Sequence, residues 1–157
     1  MMLSQLLRPE LVKPRLEARN KHQAIAELLD LLVQHHDVTL AQRHPLLEEL
    51  EKAEAAHASG MERGIAIPHC FTDRVEDILC TLGTAPNGIP FDCLDGKPAT
   101  LVVLLLLPRR NFTGEVQTIA GIEHLLEHAS LHDRILKLND PQAVFDVIAE
   151  EELVENR

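Results

Sequence analysis

The sequence has no Trp and no Tyr, and four Phe make up its entire 3% aromatic content. A core of ordinary size must therefore be aliphatic, and a chain of 157 residues that is 45% hydrophobic has enough Leu, Ile, Val and Ala to build one. Positive charge is also scarce: 15 Lys and Arg stand against 25 Asp and Glu, a net charge of −10. That balance excludes nucleic acid as a partner, because binding to phosphate backbones runs on clustered Lys and Arg. An acidic surface instead keeps a chain dispersed and steers it towards basic protein faces. The three Cys (Cys70, Cys80, Cys93) are odd in number and lack paired spacing, which predicts free thiols in a reducing compartment. The opening MMLSQLLRPELVKPR lacks the cationic start and apolar stretch of a secretory signal. The longest strongly apolar run, 99–108, is about half of the roughly 20 residues that a spanning helix needs. These absences predict a cytoplasmic protein with no direct membrane insertion.

What is present is a set of short apolar segments without internal repeats, low-complexity stretches or Gly/Ser linkers, which predicts one domain. Asn20 is placed to cap a helix over 21–36, where Ile25, Leu28, Leu29 and Leu32 recur at helical spacing. Thr39 is placed to cap a second helix over 40–56. The pattern then changes to strands. Ile65-Ala66-Ile67 is a short β-type run closed by Pro68, 77–84 reads as another strand, and Pro86-Asn87-Gly88 reads as a turn. Asp95-Gly96 turns the chain into Thr100–Leu107, an aliphatic run without alternation, as expected of a strand covered on both faces. Further helices are predicted over 114–128 and 141–151, the last with Asp140 as cap and Pro141 in its first position. The sum is an α/β fold, with a mixed, mainly aliphatic sheet sandwiched between helices.

The segment Gly60-Met61-Glu62-Arg63-Gly64-Ile65-Ala66-Ile67-Pro68-His69-Cys70 carries the chemistry. A strand that stops at Pro68 leaves His69 at its exit, where ligand chemistry is common in α/β folds. Neutral imidazole in that place can serve as base, metal ligand or nucleophile, or be merely structural. Gly64-Ile65-Ala66-Ile67-Pro68-His69 resembles the phosphorylation-site motif of mannitol/fructose-type enzyme IIA domains of the bacterial sugar phosphotransferase system. Leu11-Val12 with Asn20-Lys21, the unit from Gly88-Ile89-Pro90-Phe91-Asp92 through Asp95-Gly96-Lys97-Pro98 to Pro108, and the closing Asp140-Pro141 segment are similar to that family's further elements.

The resemblance implies a phosphocarrier in which His69 accepts a phosphoryl group from HPr and passes it to an enzyme IIB. Arg63 and Arg74 would neutralise its charge, and neither a metal nor an organic cofactor is implied. The family commonly has an Arg followed by Glu where this chain has Ala53-Glu54, and often a second His where this chain has Glu115. Cys70, after the His, is similar to the galactitol branch. These departures give the alternative its content: a regulatory module of the same fold that binds a regulated protein with little or no phosphotransfer.

Two other constellations have bland explanations. His124-Leu125-Leu126-Glu127-His128 matches an H-x-x-E-H zinc pattern, and His132 would continue it at helical spacing. Without a compelling third ligand it reads as a solvated helix face, and no zinc is expected. Arg109-Arg110, just past the aliphatic strand, could form an anion-attracting lip but reads better as a solvated loop, and His57 reads as a loop residue leading to the His69 motif that could approach the site.

Overall fold

The computed structural model describes residues 2–155, beginning with a short helix α1 (Leu3–Leu6) and a 3-10 turn (Pro9–Leu11) that lead into strand β1 (Val12–Lys13). Helices α2 (Lys21–Gln34) and α3 (Leu40–Ala56) follow, then the short strands β2 (Ile65–Ala66) and β3 (His69–Thr72). Two long strands, β4 (Leu79–Ile89) and β5 (Ala99–Pro108), precede helices α4 (Phe112–Leu126), α5 (Ala129–Leu136) and α6 (Pro141–Glu155). None of the described helices is long and apolar enough to cross a membrane.

The aliphatic run forms β5, and Leu101 through Leu107 are each 0% exposed. Burial on both faces requires both of its edges to be paired. β4 runs antiparallel along one edge, with Cys80 opposite Leu105. β2 and β3 run parallel along the other, with Ile65 opposite Leu101 and His69 opposite Leu105. β1 completes the sheet beside β4, giving the order β1-β4-β5-β2 with β3 beyond β2 along β5. Helices α2 and α3 pack on each other and on β3, β4 and β5, while α4, α5 and α6 pack on β1, β4 and β5. This is the mixed sheet between helices that the sequence predicted.

Local signals explain several boundaries. The Asn20 side chain accepts from the Gln23 N–H at 2.9 Å and caps α2, whose Ala24, Ile25, Leu28, Leu29 and Leu32 are fully buried. Asp140 does the same for α6, accepting from the Ala143 N–H at 3.2 Å. Thr39 precedes α3 as expected, but its hydroxyl makes no capping bond.

Three expectations are corrected. β4 does not turn at Pro86-Asn87-Gly88 but continues to Ile89 with a register shift after Thr84. Pro is tolerated there because β1 pairs only with Leu82 and Gly83, so Pro86 owes no ladder bond to that side. The helix predicted over 114–128 ends at Leu126, and His128 sits at the N-cap position of α5. His124, His128 and His132 therefore do not share one helical face. His132 turns inward, with its Nε2 2.8 Å from Thr100 Oγ1.

Replacing Leu104 with Ala should lower the free energy of unfolding by about 2–5 kcal/mol, since it removes a fully buried side chain from the sheet's centre; urea denaturation measures it. Burial lowers the His132 pKa, with partial offset from a Leu126 backbone hydrogen bond and Asp133. Between that lowered value and the ordinary value of about 6.5, the unfolded chain binds more protons, so stability falls as pH drops through this window. Urea melts between about pH 7 and about pH 5.5 should show the loss, and His132→Gln should remove part of the slope.

Candidate functional site

β2 and β3 form one parallel line along β5 that is interrupted at Ile67 and Pro68. Pro68 has no N–H to give to a ladder, and its carbonyl accepts from the Leu105 N–H at 3.0 Å. Ile67 donates its N–H to the Ser59 carbonyl at 3.1 Å. The expectation that His69 leaves a strand at Pro68 is thus corrected: the strand pauses there, and His69 opens its second part.

The pause turns the Ile67 carbonyl towards the His69 ring, 2.7 Å from Nδ1. A carbonyl can only accept, so Nδ1 carries the proton of the neutral ring and Nε2 keeps its lone pair. The ring is half-buried, held at one nitrogen and open at the other. This is the arrangement a nucleophilic imidazole needs.

Alternation along β3 sorts its neighbours. His69 and Phe71 share one face, with their rings edge-to-face at 6.3 Å, and Phe71 lies 4.7 Å from Phe112 at the start of α4. Phe112 is 59% exposed and Val116, one turn on, is 43% exposed. An apolar shelf therefore lies beside the imidazole. Neither ring was singled out from the sequence: the two-residue spacing of Phe71 from His69 is a signal that could have found it, whereas nothing local to Phe112 announces its place.

Cys70 and Thr72 point to the other face. Thr72 donates its hydroxyl to Glu49 of α3 at 2.7 Å, and Arg74 bonds Gln42 at 2.9 Å with its Nε 3.7 Å from the same Glu49 carboxylate. Arg74 is thus drawn towards α3, on the side of the sheet opposite the His69 ring. Burial, and secondarily Glu49, push the Cys70 thiol up to about 12, leaving it inert beside the histidine.

Arg63 lies before β2, near the far end of β5 from His69. Its N–H binds Asp95 at 3.0 Å and its guanidinium lies 3.9 Å from Glu127. Neither Arg expected beside the phosphate is brought there. Glu115 is 6% exposed and lines an open cleft of about 370 Å³ with Arg110, Asn111 and Glu76, a cleft whose walls do not include His69. Its Oε2 has no hydrogen-bond partner among the described residues. Arg109 and Arg110 are exposed, as expected of a solvated loop, and each has a surface partner: the first pairs with Asp73 at 2.8 Å, and the second donates to the Glu76 carbonyl. Glu54, next to Ala53, is buried and accepts from the Ser59 N–H at 2.9 Å, with Lys21 at 3.5 Å. It therefore anchors the loop that presents the His69 motif.

A family model described as "Phosphoenolpyruvate-dependent sugar phosphotransferase system, EIIA 2" matches residues 5–151. A fructose-specific EIIA component of the phosphotransferase system from Haloferax volcanii is 32% identical over 141 residues, covering 90% of each chain. A nitrogen regulatory protein from Bradyrhizobium diazoefficiens is 28% identical over 149 residues, covering 95% of each. The fold is similar to that in the complex of enzyme IIAMTL and phosphorylated enzyme IIBMTL from Escherichia coli. There the TM-score is 0.75 at 21% identity, over 92% of this chain and 97% of that one.

In the neutral ring of His69, long-range 15N–1H correlation should show Nδ1 protonated and Nε2 unprotonated. The opposite tautomer would mean that the Ile67 bond does not orient the ring.

Proposed function

The chain belongs to the EIIA 2 family of the phosphoenolpyruvate-dependent sugar phosphotransferase system, and we propose that its phosphocarrier role is performed by Nε2 of His69. The observation that carries this is the Nδ1–Ile67 hydrogen bond, which reserves Nε2 for bond formation. In the forward step the Nε2 lone pair attacks the phosphorus of phosphorylated HPr. The new N–P bond forms as the donor's N–P bond breaks, and the donor ring keeps that electron pair. Nδ1 retains its proton, and the Ile67 carbonyl stabilises the positive charge that the ring acquires. The reverse geometry then hands the group to an enzyme IIB.

A phosphoryl group on His69 adds up to about two negative charges. Arg63 and Arg74 are engaged by Glu127 and Glu49, so their proposed neutralising role finds no support in their placement. The compensating cations come instead from the partner, whose basic face would suit a chain of net charge −10. The shelf of Phe71, Phe112 and Val116 supplies the apolar part of that contact. This reading places the chain in the cytoplasm, as one domain of about residues 3–150, with no cofactor.

A second reading, a regulatory module that docks on a target protein, is favoured by the relative named a nitrogen regulatory protein and by Ala53 and Glu115 standing where a cation and an imidazole are common. Incubation with enzyme I, HPr and phosphoenolpyruvate, followed by intact mass, separates the two. The phosphocarrier reading expects one phosphoryl group on the wild-type chain and none on His69→Ala. An unmodified wild-type chain would favour the module, and labelling that survives His69→Ala would remove His69 as the acceptor. Replacing Phe112 with Asp should slow transfer from HPr by about an order of magnitude or more without unfolding the chain, because Phe112 is exposed and central to the shelf; stopped-time labelling at limiting HPr checks it.

A further inference from the structure

Away from His69, three metal-ligating side chains converge where α4, α5 and α6 meet. His124 lies in the last turn of α4 and His128 at the N-cap position of α5, with their rings edge-to-face at 5.7 Å. Glu155, at the end of α6, brings Oε1 to 2.7 Å from Nε2 of His128. One donor atom from each of the three residues lies within 4.8 Å of the others. Donors around a tetrahedral zinc, bonded at about 2.0–2.2 Å, sit roughly 3.3 Å apart. Small side-chain rotations therefore gather this set around one ion.

Three features distinguish the cluster from a chance meeting of surface groups. Nε2 of His128 is shielded from solvent and faces Glu155 Oε1 at 2.7 Å, so an imidazole and a carboxylate already turn their donor atoms towards one another. The helix that carries Glu155 is also pinned one turn before it. Glu152, one turn earlier, is buried, and its two oxygens accept from the Leu3 and Ser4 N–H groups at 2.6 and 2.9 Å. Finally, His124 and Glu155 both line an open cleft of about 170 Å³ beside Gly121, where an added Cβ would meet nothing within 4 Å. That is ample for an ion and its waters, each water needing about 30 Å³.

We propose that His124, His128 and Glu155 bind one divalent cation of the zinc class, with water in the remaining positions, tying the end of α6 to the α4–α5 junction. Two imidazoles and one carboxylate suit zinc better than magnesium or calcium, which take oxygen ligands. The H-x-x-E-H pattern supplies the two His, but its Glu127 takes no part, since that carboxylate is turned towards Arg63 at 3.9 Å. The third ligand comes from α6, beyond the reach of any local motif.

The test is calorimetric titration of tag-free, chelator-stripped protein with zinc chloride. One zinc per chain is expected, with affinity falling about tenfold or more in each of His124→Ala, His128→Ala and Glu155→Gln. His69→Ala should bind as the wild type does, so this outcome is independent of phosphotransfer. Zinc should raise the thermal midpoint of the wild type but not of the triple variant. Because Cys70, Cys80 and Cys93 are free thiols, cobalt(II) serves as the spectroscopic probe, and thiolate charge-transfer absorption should be absent. The proposal is overturned by the lack of one-to-one binding, by a triple variant that binds zinc as tightly as the wild type, or by a thiolate band with cobalt.

Discussion

A strand covered on both faces has no water to bond, so the N–H and C=O groups of Ala99–Pro108 must find partners in neighbouring strands. That requirement organises the molecule. β4 meets it along one edge in antiparallel register, and β2 and β3 share the other edge in parallel. The position of the histidine follows from it. His69 is held opposite Leu105 because β3 must satisfy β5, and the Ile67 carbonyl turns to the ring because Pro68 cannot continue the ladder. Ordinary sheet bonding thus sets the imidazole's tautomer.

Much of this was legible in the sequence, for identifiable reasons. The run TLVVLLLL, aliphatic without alternation and closed by Pro108, suits a doubly covered strand, and Asn20 and Asp140 mark helix starts through bonds to residues three positions on. The Gly64–His69 motif pointed to the family and to the residue with the reactive nitrogen. What escaped notice depends on contacts between distant segments. Pro86 and Gly88 look like a turn, yet they stay in β4 because β5 continues alongside and β1 has already ended. Arg63 and Arg74 are near His69 in sequence, but one lies before β2 and the other is drawn to the α3 side, and carboxylates hold both there. The meeting of Glu155 with His128 was equally unreadable, since it depends on how α6 lies against the α4–α5 junction.

The electrostatics of the His69 face also differ from the expectation. Its surroundings are apolar rather than basic, with Phe71 and Phe112 beside the ring. The cations nearby in the chain are already matched: Arg109 by Asp73, and Arg74 by Gln42 and Glu49. The neighbouring thiol is silenced by burial. One open nitrogen on an apolar shelf is a surface completed by a second protein, and the acidic net charge makes a basic one the natural complement.

The pairing order also has a consequence in time. Among the described residues β2 and β3 pair with no strand but β5, which is synthesised after both. Until Pro108 has left the ribosome, the segment bearing His69 has α3 to lie against but lacks the strand it pairs with, and its motif exists as sequence but not as a site. The hairpin of β4 and β5 is the more local pairing and can form first, whereas seating β3 requires closing the longer loop. A nascent chain halted before β5 would therefore carry the histidine without its oriented ring, and chemical competence arrives only with the strand that completes the sheet.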